Sequence, residues 1–220
     1  MDRFVLDFAH TLAGFMVLVS FMLLYQDRMF SLLNVFALQA LILSASVAWQ
    51  AHVQDAPHLY VTAMIALMLK AIIIPIVLHR VVVRLGIHRN IETVGSIGLT
   101  MLLGIGLVAL SMVVMLRATA AADPLAREDL AFALSVVLLG LLMMVTRRNA
   151  VSQIVGFMSL ENGIILAATG AKGMPLVVEI SVAFSVLVAL IVIGVFLFRI
   201  RERFDSVDIH VINEHRGERQ

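Results

Sequence analysis

The feature that most constrains this chain is its hydropathy pattern: long apolar runs, each about the length of a membrane crossing, divided by short polar connectors. Seven such runs can be drawn, at about 4–25, 29–50, 58–81, 94–116, 129–146, 151–170 and 175–198. The connectors, among them Gln26–Arg28, Arg147–Ala150 and Ala171–Met174, are too short to hold a further folded domain. A backbone in lipid must satisfy its own N–H and C=O groups, so runs of this length predict helices. The expected fold is an all-α integral membrane protein of seven transmembrane helices.

Composition agrees: 61% of the 220 residues are hydrophobic and 14% charged, with a mean hydropathy of +1.03. Soluble domains carry roughly 45–50% and 25%. There is no cysteine, which excludes iron–sulfur and nickel–iron ligation, disulfides and thiolate zinc in this chain. Redox chemistry, if any, belongs to a partner, and no cofactor or metal is expected. The net charge of +1 carries no nucleic-acid signal.

An odd number of spans puts the termini on opposite sides, and basic residues choose the orientation. With the N-terminus outside, the inner segments collect Arg28, Arg80, Arg84, Arg89, Arg147, Arg148, Arg199, Arg201, Arg203, Arg216 and Arg219. The outer ones hold Arg3, Arg117, Arg127 and Lys172. The expectation is N-out and C-in, a multi-pass protein of a bacterial or archaeal cell membrane with a cytoplasmic C-terminus. Asp2 and Asp7 at the front of the first run argue against a cleaved leader and for a retained anchor. Three segments follow: 1–118, a four-helix membrane part; 119–200, a three-helix part; and 201–220, a charged cytoplasmic tail.

Information concentrates in ionisable groups set deep in apolar runs, because each costs roughly 2.5–3.5 kcal/mol to insert and such groups face a bundle interior or a wet cavity. Glu161 lies roughly 15 Å into its span by helical rise, near the midplane, flanked by Ser159 and Asn162. A carboxyl so placed suits a proton relay station; the plainer reading is a neutral acid kept for packing. Gly156 and Gly163, on about one helix face, allow another helix or a water chain to approach.

Lys70 lies at matching depth in Leu69-Lys70-Ala71-Ile72-Ile73-Ile74-Pro75. Pro75 lacks an N–H, frees the Ala71 carbonyl and predicts a kink beside the ammonium. The relay reading of Lys70 stands beside two plainer ones, snorkelling and a carboxylate pair that holds helix register. Glu179, near the outer end of the last span, is a weaker relay candidate, and Asp7 and His10 read as an interfacial pair. The other histidines fall in loops, ends or the tail, which argues against haem, and the many Met and Phe side chains are apolar filler.

From Arg147-Arg148-Asn149 through Gly156 and Leu160-Glu161-Asn162 to Arg199-Ile200-Arg201, Phe204-Asp205-Ser206-Val207 and Arg216-Gly217, the chain resembles the K subunit of the complex I membrane arm. The extra N-terminal spans, with Lys70 to Pro75 followed by Leu78-His79-Arg80, are similar to component E of hydrogenase-4 and formate hydrogenlyase-type complexes. The resemblance implies a non-catalytic membrane-arm subunit of an oxidoreductase complex that translocates protons or sodium ions. Its implied partners are antiporter-like and other membrane-arm subunits, the lipid bilayer and, indirectly, a nickel–iron and iron–sulfur peripheral arm. It also implies that Glu161 is the buried glutamate of the K-subunit proton axis. The family's second glutamate falls on Phe184 here, so either Glu179 stands in for it further out or another subunit supplies that station. The rivals are a subunit of a multi-subunit cation/proton antiporter, and a structural scaffold of the membrane arm.

Overall fold

The computed structural model describes residues 2–85, 95–119 and 124–170. All regular structure among them is helical: α1 (Asp2–Tyr25), α2 (Met29–Val53), α3 (Pro57–Ile65), a π-helical segment (Ala66–Ile73), α4 (Ile74–Leu85), α5 (Ile97–Ala118), α6 (Pro124–Thr146) and α7 (Ala150–Gly170). The segment from Pro57 to Val83 is one continuous crossing, so six helices are long and apolar enough to span a membrane. The chain is therefore a multi-pass helical membrane protein. The expected seventh span, with Glu179 and Phe184, and the tail lie outside the described residues.

Local chemistry marks the helix ends. Ser96 caps α5, its side chain accepting from the Leu99 N–H at 3.3 Å. Pro57 opens α3, where a missing N–H costs nothing. The turn before it places Asp55 at φ 51°, the left-handed conformation that aspartate tolerates better than most residues.

Pro75 has a larger effect than the simple kink its ring predicts. Within an α-helix that ring would collide with the carbonyl four residues back. Here the preceding turn is widened, and the Ile74 N–H bonds to the Leu69 carbonyl, five residues back. Such π-helical insertions are rare and frequent at functional sites. This one contains Lys70.

Helix α2 is the centre of the bundle, touching α1, α3, the π-helical segment, α4 and α7. Helices α1 and α6 pack together, α6 packs on α7, and α5 lies on the outside of α6 and α1. Leu102, Ile105 and Leu110 on α5 remain exposed, as lipid-facing side chains are. The core is apolar, with Met16, Leu32, Phe36, Leu43, Leu139 and Met158 fully enclosed.

Helix ends separate by charge. Arg147, between α6 and α7, donates to the Leu24 carbonyl at 2.6 Å and the Leu23 carbonyl at 3.3 Å, so the α6–α7 turn meets the C-terminal end of α1. Gln54 donates to the Thr169 carbonyl at 2.8 Å, joining the α2–α3 turn to the far end of α7. Arg28, Arg80, Arg147 and Arg148 consequently share one end of the bundle.

Candidate functional site

Four helical elements converge at half depth. Gln39 of α2, Lys70 of the π-helical segment and Glu161 of α7 each sit roughly 15–20 Å along the axis from a helix end, close to the middle of an about 30 Å hydrocarbon core, and Ser20 of α1 joins them from a level nearer the C-terminal end of its helix. Ser159 and Asn162 accompany Glu161 on α7. All six are buried, Lys70 with 1% and Glu161 with 3% of its surface exposed.

The ammonium of Lys70 lies 3.2 Å from Glu161 Oε2 and donates to Asn162 Oδ1 at 2.9 Å. With its oxygen so engaged, Asn162 turns its amide nitrogen to α2, and Nδ2 donates to Gln39 Oε1 at 3.2 Å. Gln39 Nε2 then donates to Ser20 Oγ at 2.8 Å and to Ser159 Oγ at 2.9 Å. Ser20 Oγ in turn donates a hydrogen bond to the Met16 carbonyl at 2.8 Å. The hydrogen bonds run from a cation through two amides to hydroxyls.

Buried polar groups are tolerated when their partners are supplied and are costly otherwise. Asn162 and Gln39 position the pair; their amides carry no readily exchanged charge. The protons that can move belong to Lys70 and Glu161. Transfer of one proton from the ammonium to the carboxylate turns an ion pair into a neutral amine and acid; the net charge is zero in both states, and in the second no charged group is buried.

Lys70, Glu161, Asn162 and Ser159, each singled out from sequence, meet in this cluster, and Pro75 stands at the exit of the widened turn that carries Lys70. The Ala71 carbonyl is not the ammonium's described partner; Glu161 and Asn162 are. Gly156 and Gly163 do not line the cluster. A Cβ on Gly163 would lie 2.8 Å from the Val137 nitrogen, and one on Gly156 would lie 3.1 Å from the Met144 nitrogen. They admit α6, together with Gly140, whose Cβ would fall 2.5 Å from the Leu160 nitrogen.

Gln39 and Ser20 carry no charge and do not stand out from sequence. The signal in Gln39 is a lone amide at mid-span in Phe36-Ala37-Leu38-Gln39-Ala40-Leu41. Arg147 reads from sequence as a topology signal; in the structure it is 2% exposed and ties down α1. Burial lowers the affinity of its guanidinium for its proton, and the Asp27 carboxylate works the other way.

At the opposite end of the bundle His10 Nδ1 donates to Asp129 Oδ1 at 2.8 Å, with Glu128 Oε2 at 3.9 Å from Nε2. Its partner is thus on α6, whereas the sequence spacing points to Asp7. Among the described residues no group of three or more His, Cys, Asp or Glu side chains could hold a metal ion.

The chain is 30% identical over 214 residues to the uncharacterized protein Rv0085 of Mycobacterium tuberculosis, a match covering 96% of this chain and 95% of the other. No family model matches the chain, and no solved structure gives a significant match.

Proposed function

We propose that this chain, which belongs to the same family as that mycobacterial protein, is a membrane-arm subunit of a hydrogenase-4 or complex I-like complex, with Lys70 and Glu161 as one station of its ion relay. The observation that carries the reading is the enclosed pair itself, 3.2 Å apart at mid-membrane, with Lys70 also held by Asn162, which Gln39 holds in turn. Intramembrane ionisable residues are costly, and paired ones mark proton and ion pathways. The similarity of the Arg147-to-tail stretch and of the Lys70–Arg80 stretch to K-type and component E subunits supports the same reading.

Electron transfer would take place in partner subunits that hold nickel–iron or iron–sulfur centres. A conformational or hydration change passed through neighbouring antiporter-like subunits would alter the spacing of Lys70 and Glu161. Separation of the pair exposes each charge to an apolar surround, so the ammonium releases a proton or the carboxylate gains one; closure reverses this. The chain would lie in a cell membrane with its C-terminus in the cytoplasm.

Isolation of the protein from native membranes in mild detergent tests the assignment. Co-purification with nickel–iron and iron–sulfur polypeptides is the expected result. Antiporter subunits alone would replace it with the cation/proton antiporter reading. If Lys70→Ala and Glu161→Gln left proton flux unchanged while impairing assembly, a scaffold role would stand instead.

A further inference from the structure

A groove of about 220 Å³ opens between α2 and α4 at the arginine-rich end of the bundle, lined by Leu33, Asn34, Pro75, Ile76, His79 and Arg80. Its two ends differ chemically. Pro75 and Ile76, on the midplane side, and Leu33 across from them on α2 form the apolar lining of its floor, and Ile76 is 47% exposed. His79 and Arg80, both exposed, form a polar, cationic rim on the other side, and Asn34, also exposed, lines the groove between the two levels. His79 is held with its ring 4.6 Å from that of Phe30.

Depth decides what such a groove meets. Arg80 follows Lys70 by ten residues, roughly 15 Å of helix, which is half of an about 30 Å core. The rim therefore sits where hydrocarbon gives way to headgroups, and the floor lies at acyl-chain depth. Among the described residues Arg80 has no carboxylate within ion-pairing distance. A guanidinium there meets the phosphates of the lipid itself, and basic pockets between transmembrane helices on one face favour anionic headgroups.

We propose that this groove is a binding site for one anionic phospholipid. Arg80 holds its phosphate, His79 offers a further donor to the headgroup oxygens, Asn34 lies below them at the level of the chain esters, and one acyl chain lies along Ile76, Pro75 and Leu33. The match rests on charge complementarity at the rim and apolar character at the floor. Because Pro75 both bounds the groove and ends the turn that carries Lys70, the bound lipid lies against the outer side of that turn.

The test uses the full chain purified in detergent and examined by native mass spectrometry and thermal denaturation. Phosphatidylglycerol, phosphatidylcholine and inorganic phosphate are supplied separately. The expected result is retention of one phosphatidylglycerol with a raised melting temperature, and no comparable effect of phosphatidylcholine or free phosphate. Arg80→Gln should reduce retention about fivefold, in line with the loss of one basic contact to an anionic headgroup. Ile76→Trp should reduce it by filling the floor while every charge remains. Arg117→Gln, at the opposite end, should leave it unchanged. Equal retention of phosphatidylcholine, an equal shift with inorganic phosphate, insensitivity to both groove variants, or an equal loss in Arg117→Gln would each overturn the proposal.

Discussion

Lys70 and Glu161, carried by different helices, meet with 3.2 Å between ammonium nitrogen and carboxylate oxygen, and each is almost wholly enclosed. Removal of one partner strands the other in an apolar surround, a loss of about 3–5 kcal/mol, whereas replacement of both by apolar groups is often neutral or stabilising. Lys70→Met or Glu161→Leu alone should thus lower the thermal stability of the purified protein sharply. The double variant Lys70→Met/Glu161→Leu should recover most of that loss. A double-mutant cycle measures the coupling, and additive losses would show that the two groups do not interact.

Close approach of α6 and α7 depends on three glycines. Gly140→Val should force the helices apart, because even its Cβ would lie 2.5 Å from the Leu160 nitrogen. Gly163→Val should act similarly, through Val137. Gly106 of α5 has nothing within 4 Å of its Cβ position, so Gly106→Ala should be neutral or stabilising by up to about 1 kcal/mol. Comparison of melting temperatures in one detergent separates the two classes.

Arg147 joins the α6–α7 turn to the end of α1 by donating to two carbonyls that have no helical partner of their own. Arg147→Gln should cost about 1–3 kcal/mol by leaving buried acceptors unpaired. Arg147→Lys keeps the charge and loses the planar fork, so it should restore only part of the loss. Faster hydrogen exchange at the last turn of α1 is the expected local signature.

The helices were legible from sequence because each crossing needs an apolar run, and the runs near 29–50, 129–146 and 151–170 coincide with α2, α6 and α7 to within a few residues. Depth was legible for the same reason, since rise per residue places Lys70 and Glu161 near the midplane. Their contact was not. Equal depth leaves open which way each helix is rotated, and the π-helical turn ahead of Pro75 changes the rotation of Lys70 by an amount that no period of 3.6 residues anticipates. Gln39 and Ser20 were hidden because uncharged polar groups are cheap enough in a span to draw no notice. His10 illustrates the same limit: Asp7 is near in sequence, but packing of α1 on α6 supplies Asp129.

Redox-driven ion translocation in inverted membrane vesicles containing the intact complex tests the account most directly, with Glu161→Gln compared to the unaltered protein. Gln keeps the shape of the side chain and a carbonyl oxygen for Lys70 but cannot exchange a proton. Assembly and electron transfer near the unaltered level, with ion translocation strongly reduced, is the predicted result. Full translocation by the Glu161→Gln complex would contradict it.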